Sequence, residues 1–76
     1  MNKIELLEEL KEVMQIDEEI SFDTLLKDLE EWDSLANIST LSLYDELFNT
    51  IVTSDQLADC KTINELIELV ADKLDA

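Results

Sequence analysis

The sequence predicts an all-α protein, a small bundle of three main helices and one short one. Three observations carry that expectation. Apolar residues recur at three- and four-residue spacing near both ends of the chain. The 76 residues include no Gly and no Pro. Only one short stretch has strand character.

The first helix is expected from Lys3 to about Gln15. Ile4, Leu6, Leu7, Leu10, Val13 and Met14 fall on one side of it, and Glu5, Glu8, Glu9, Lys11 and Glu12 on the other. Residues 16–32 are less regular. Ile16, Ile20, Phe22, Leu25, Leu26 and Leu29 are separated by acidic residues, which suits a long connection anchored on the core. One helical turn over Thr24 to Leu29, capped by Ser21 or Asp23, fits within it.

A second helix should begin at Asp33 or Ser34, both good starting residues, and end near Asn49, which tolerates the left-handed conformation. Leu35, Ile38, Leu41, Leu47 and Phe48 supply its expected buried stripe, widened by Leu43 and Tyr44. The β-branched run Thr50-Ile51-Val52-Thr53 has no partner strand and reads as an extended connection. Ser54-Asp55 opens a short helix to about Asp59. Thr62 and Glu65 have the spacing of a capping box, and Ile63, Leu66, Ile67, Val70 and Leu74 then share one face of the last helix.

Length and 46% apolar content suit one folded domain over residues 1–76. No apolar run approaches a membrane span, and the chain opens on an acidic amphipathic helix rather than a secretory signal, which points to the cytoplasm. One cysteine, Cys60, excludes an internal disulfide and a thiolate metal cluster. With no histidine and no arginine, the commonest general base, the usual zinc ligands and bidentate phosphate binding are all missing. No metal site is expected. Asp17-Glu18-Glu19 resembles a calcium loop only in charge, lacking the alternating ligands and central glycine.

The five cations are Lys3, Lys11, Lys27, Lys61 and Lys73, against twenty acidic residues and a net charge of -15. Nucleic acid is excluded as a partner, and basic surfaces are favoured. The same charge leans toward a monomer, and its self-repulsion predicts modest stability at low ionic strength.

What chemistry remains centres on Trp32-Asp33-Ser34-Leu35. A catalytic serine needs an adjacent base, and without histidine self-contained catalysis is unsupported. Ser34 has two other readings. It caps the helix, contributing roughly 1 kcal/mol, or it is modified by another enzyme, with the helix amino end favouring a phosphate ester.

Asp33-Ser34-Leu35 resembles the Asp-Ser-Leu motif of acyl carrier proteins, and the resemblance extends over essentially the whole chain. The order of elements follows that family, as do Leu29, Phe48-Asn49 and Thr62-Ile63 followed by Leu66. The resemblance implies that Ser34 carries a covalent 4′-phosphopantetheine arm, presented by Asp33 and Leu35. The arm's thiol would hold an acyl or amino-acyl group as a thioester. The implied partners are a phosphopantetheinyl transferase with coenzyme A, and an acyl-loading ligase, synthase or transferase with a basic docking patch. The carrier itself is not an enzyme.

Two departures from the fatty-acid-synthesis pattern stand out. Glu30-Glu31-Trp32 replaces the glycine that often precedes the motif. Ala36 and Ser39 stand where acidic docking residues are usual, and Ala36 to Tyr44 carries no charge. The Trp-Asp-Ser-Leu form looks more like stand-alone carriers of specialised pathways. Leu35, Ile38, Ser39, Ser42, Asp45 and Glu46 are the candidates for the partner-facing side, although Leu35 and Ile38 also fit the buried stripe. The competing reading is a small acidic helical inhibitor that masks a basic partner, for which Ser34→Ala would be harmless. Three lesser expectations complete the list. Trp32 packs as a staple over the second helix, Cys60 is a small buried hydrophobe, and Tyr44 lies outside or at the core edge with its hydroxyl in water.

Overall fold

A computed structural model describes residues 1–75. Helices α1 (Lys3–Val13), α2 (Ser34–Phe48), α3 (Ser54–Ala58) and α4 (Ile63–Glu68) form an all-α bundle. Single 3-10 turns at Leu26–Asp28 and Ala71–Lys73 complete the regular structure. Its extents are 27 × 23 × 19 Å. Helix α1 packs on α2 and α4, and α2 also packs on α3.

Helix α1 starts on a capping box: Asn2 accepts from the Glu5 N–H at 2.8 Å, and Glu5 accepts from Asn2 N–H at 3.1 Å. Its end is closed by two crossed bonds. Ile16 N–H reaches the Lys11 carbonyl, and Gln15 N–H reaches that of Glu12. This is a Schellman closure, with Gln15 at φ 57° in the place glycine usually fills. Leu6, Leu10 and Met14 are buried, but Ile4, expected on the apolar side, is exposed.

The long connection is anchored on the core, as expected, by Ile16, Leu26 and Leu29. Its 3-10 turn is shorter than expected and lacks a side-chain cap; instead Thr24 Oγ1 accepts from the Ser21 N–H at 2.8 Å. What holds the segment is backbone pairing with the start of α4. Leu26 N–H donates to Lys61, Ile63 N–H to Thr24 and Asn64 N–H to Phe22, all at 2.8 to 3.0 Å. Leu25 and Thr62 thereby form an isolated antiparallel bridge.

The buried stripe of α2 differs from expectation. Ala36, Thr40, Leu43 and Tyr44 face the core, whereas Leu35, Ile38 and Leu47 are exposed. Apolar side chains occur on both faces of α2, so counting the large ones selects the wrong side. Tyr44 is fully buried, and its hydroxyl donates to the Leu66 carbonyl at 2.7 Å. It therefore ties α2 to α4 rather than reaching water, and burial holds its phenol well above the ordinary range. Its ring lies 6.0 Å from that of Phe48 at an interplanar angle of 57°.

Helix α2 ends at Asn49 in the left-handed conformation (φ 51°, ψ 40°). Residues 50–53 have no regular secondary structure, and Thr53 is extended (φ -93°, ψ 158°). Thr53 and Gln56 then form a capping box for α3. At α4, Thr62 accepts from Glu65 N–H as expected, but the Glu65 carboxylate accepts from Lys61 N–H at 3.1 Å, so the reciprocal half of the box is not made. Helix α4 stops at Glu68, short of Val70 and Leu74. Val70 is still buried, and the chain end turns back to pair with Met1: Asp75 N–H donates to the Met1 carbonyl at 2.9 Å. The terminal amine binds the Asp75 carboxylate at 2.7 Å, which raises the amine's pKa and lowers that of Asp75.

Candidate functional site

Two tight backbone turns lead into α2, from Trp32 N–H to Leu29 O and from Asp33 N–H to Glu31 O. Asp33 is extended (φ -127°, ψ -170°), and its Oδ1 accepts from Ala36 N–H at 2.9 Å. Its carbonyl takes both the Asn37 backbone N–H and the Asn37 side-chain amide, each at 3.0 Å. Asp33 is therefore the cap, and Ser34 occupies the first helical position beyond it. This corrects the reading of Ser34 as the capping residue.

The consequence for Ser34 is freedom. Its side chain is exposed, and among the described residues its hydroxyl has no hydrogen-bond partner. The backbone N–H groups of Ser34 and Leu35 are likewise unpaired among the described residues. An exposed hydroxyl beside two free amides, at the positive end of a helix of 15 residues, fits a phosphodiester well. Beside it, a cleft of about 310 Å³ opens between the end of α1 and the start of α2, walled by Met14, Gln15, Asp33, Ala36 and Ser39.

All six partner-facing candidates lie at the surface. Leu35 is 71% exposed and Ile38 60%. Ser42, Asp45 and Glu46 are exposed, and Ser39 is half-buried. Ser34, Ile38 and Asp45 share one face of the helix, with Leu35, Ser42 and Glu46 beside them. Trp32 is half-buried against the core. Its staple partner is missing, because Asn37 occupies that position and turns to the Asp33 carbonyl. Cys60 is half-buried, and its thiol faces the Gln56 carbonyl at 3.3 Å. Burial, then the nearby Glu65 and Asp59, push that thiol's pKa up. Among the described residues, no three His, Cys, Asp or Glu side chains gather as ligands for a metal ion.

The α1 contribution escapes sequence reading. Glu9, Glu12 and Val13 come to face Ile38, Ser39 and Glu46 across a second groove. Spacing on α1 alone puts Glu9 and Glu12 on the solvated side and Val13 on the apolar side, and which helix lies opposite is a tertiary fact.

The sequence model of the family described as phosphopantetheine attachment site matches residues 5–70. The chain belongs to that family. It is thus a phosphopantetheine carrier protein, and 4′-phosphopantetheine is the group its family bears covalently. Family membership brings with it a phosphopantetheinyl transferase and synthase-type partners in general. No curated protein and no solved structure matches the chain. No described helix of the carrier is long and apolar enough to cross a membrane.

Proposed function

We propose that the protein is an acyl carrier, residues 1–76 forming one carrier domain, with Ser34 as the attachment point of the arm. One observation carries this reading: Asp33 does the capping, which leaves the Ser34 hydroxyl exposed and unpartnered at the head of α2. When bound, the arm supplies a thiol that holds an acyl or amino-acyl group as a thioester.

The chain's own residues then have simple tasks. Asp33 fixes the helix start, so the Ser34 side chain and the free N–H groups of Ser34 and Leu35 are presented together. The amides and the helix dipole offset the phosphodiester charge. The base that takes the Ser34 proton is assigned to the transferase. The exposed Leu35 and Ile38, with Ser39, Ser42, Asp45 and Glu46, form the face that a loading ligase or transferase reads.

Because Ala36 to Tyr44 is uncharged, we assign the carrier to a specialised pathway with a dedicated partner. The protein itself performs no turnover in this reading. Intact-mass measurement after incubation with coenzyme A and a broad-specificity phosphopantetheinyl transferase tests the attachment. A gain of one phosphopantetheine on the unsubstituted chain, and none on Ser34→Ala, is expected. A gain that survives Ser34→Ala would overturn the assignment. Equal turnover by general fatty-acid synthase enzymes and by a dedicated ligase would overturn the specialised reading.

A further inference from the structure

We propose that the groove between α1 and α2 is the seat of the phosphopantetheinyl transferase, which inserts an apolar side chain flanked by lysines or arginines. The inference rests on Ser34 being the attachment point.

The groove encloses about 520 Å³. Glu9, Glu12 and Val13 of α1 form one wall, and Ile38, Ser39 and Glu46 of α2 the other. Its apolar content is open to solvent: Ile38 is 60% exposed and Val13 half-buried. Every charged residue that lines it is acidic. The ion pairs among the described residues engage Glu19, Glu68 and Asp75, so none neutralises Glu9, Glu12 or Glu46. An exposed apolar strip with unpaired carboxylates on both sides is complementary to a hydrophobic residue between cations.

Location supports the same occupant. Val13, Gln15 and Ser39 line both this groove and the cleft that ends at Asp33, so the two form one continuous depression. An enzyme element seated there lies against the helix whose first residue is to be modified. The charge argument also has a direction. Between Ala36 and Tyr44 the second helix offers no charge of its own. The carboxylates that face that stretch across the groove belong to α1, so the neighbouring helix supplies two of the three docking charges and Glu46 of α2 the third.

The test uses the full apo chain, coenzyme A and a broad-specificity phosphopantetheinyl transferase, with initial loading rates followed by intact mass. The double substitution Glu9→Lys and Glu12→Lys should raise the KM for the carrier about tenfold while kcat stays within about twofold. Lysine at position 12 lies in the last turn of α1, where the helix dipole favours it, so the fold should survive. A circular dichroism melt checks this. The control is Asp23→Lys with Asp72→Lys, two exposed residues outside the groove with the same change in charge, and its KM should stay near that of the unsubstituted chain. An unchanged KM for the groove variant, or an equal rise in the control, would overturn the proposal. No mass gain on the unsubstituted chain would instead sink the attachment reading, and this one with it.

Discussion

Helix α2 carries hydroxyls of two opposite kinds. At its middle, Thr40 and Tyr44 are fully buried and bonded, Thr40 to the Ala36 carbonyl at 2.9 Å and Tyr44 to that of Leu66 at 2.7 Å. At its head, Ser34 is exposed and bonded to nothing among the described residues. The bonded groups fix how the helices meet, because an unpaired polar group in the core is costly. The free one makes no bond that would hold the fold and, in the proposed reading, is left for chemistry. Stability and the proposed attachment point are thus separated along one helix, by about 9 to 15 Å from its rise per residue.

That contrast can be broken by substitution. The largest effect belongs to Tyr44→Phe, which strands the Leu66 carbonyl in the core. Chemical denaturation should show a loss of about 2 kcal/mol. A change below a few tenths would mean that the hydroxyl is not holding α4. Next comes Asp33→Ala, which removes the cap and should cost about 1 kcal/mol by the same measurement. Gln15→Gly should act in the other direction, relieving the left-handed strain at the end of α1 and adding about 0.5 kcal/mol.

Ser34→Ala should leave the melting temperature where it is, within about 0.5 kcal/mol of unsubstituted stability. A substantial loss would show that Ser34 has a structural bond, and would dissolve the comparison. Cys60 sharpens it from a third position. Burial raises its pKa, so less thiolate is present at neutral pH, and its alkylation by iodoacetamide should be slower than that of glutathione. The rate should climb as the pH rises toward the elevated pKa. An equal rate at neutral pH would mean the thiol is open.

Much of the layout was legible in the residues themselves. The periodicity of α1, the start of α2 at Asp33-Ser34, its end at Asn49 and the connection at 50–53, without a strand partner among the described residues, all follow from local chemistry. The buried face of α2 did not. Leu35, Ile38 and Leu47 outweigh Ala36 and Thr40 in any count of apolar size, yet the small residues face the core. Such a mismatch is expected where exposed apolar side chains serve a partner rather than the fold. The early end of α4 was also hidden. No glycine or proline marks it, and the pairing of Asp75 with Met1 is a contact between residues far apart in sequence. At the site, the Asp33-Ser34-Leu35 motif was readable. The division of labour between Asp33 and Ser34 needed the geometry, since either residue type caps a helix. The acidic wall that α1 lends to α2 needed the tertiary fold.

Trp32 gives the carrier a reporter of its own. It is the only tryptophan in the chain, half-buried, and two residues ahead of Ser34. Its indole fluorescence therefore originates beside the proposed attachment point, without any dye or label. A change in that emission on loading, or on the arrival of an enzyme in the α1–α2 groove, would let both events be timed in solution on the unaltered protein.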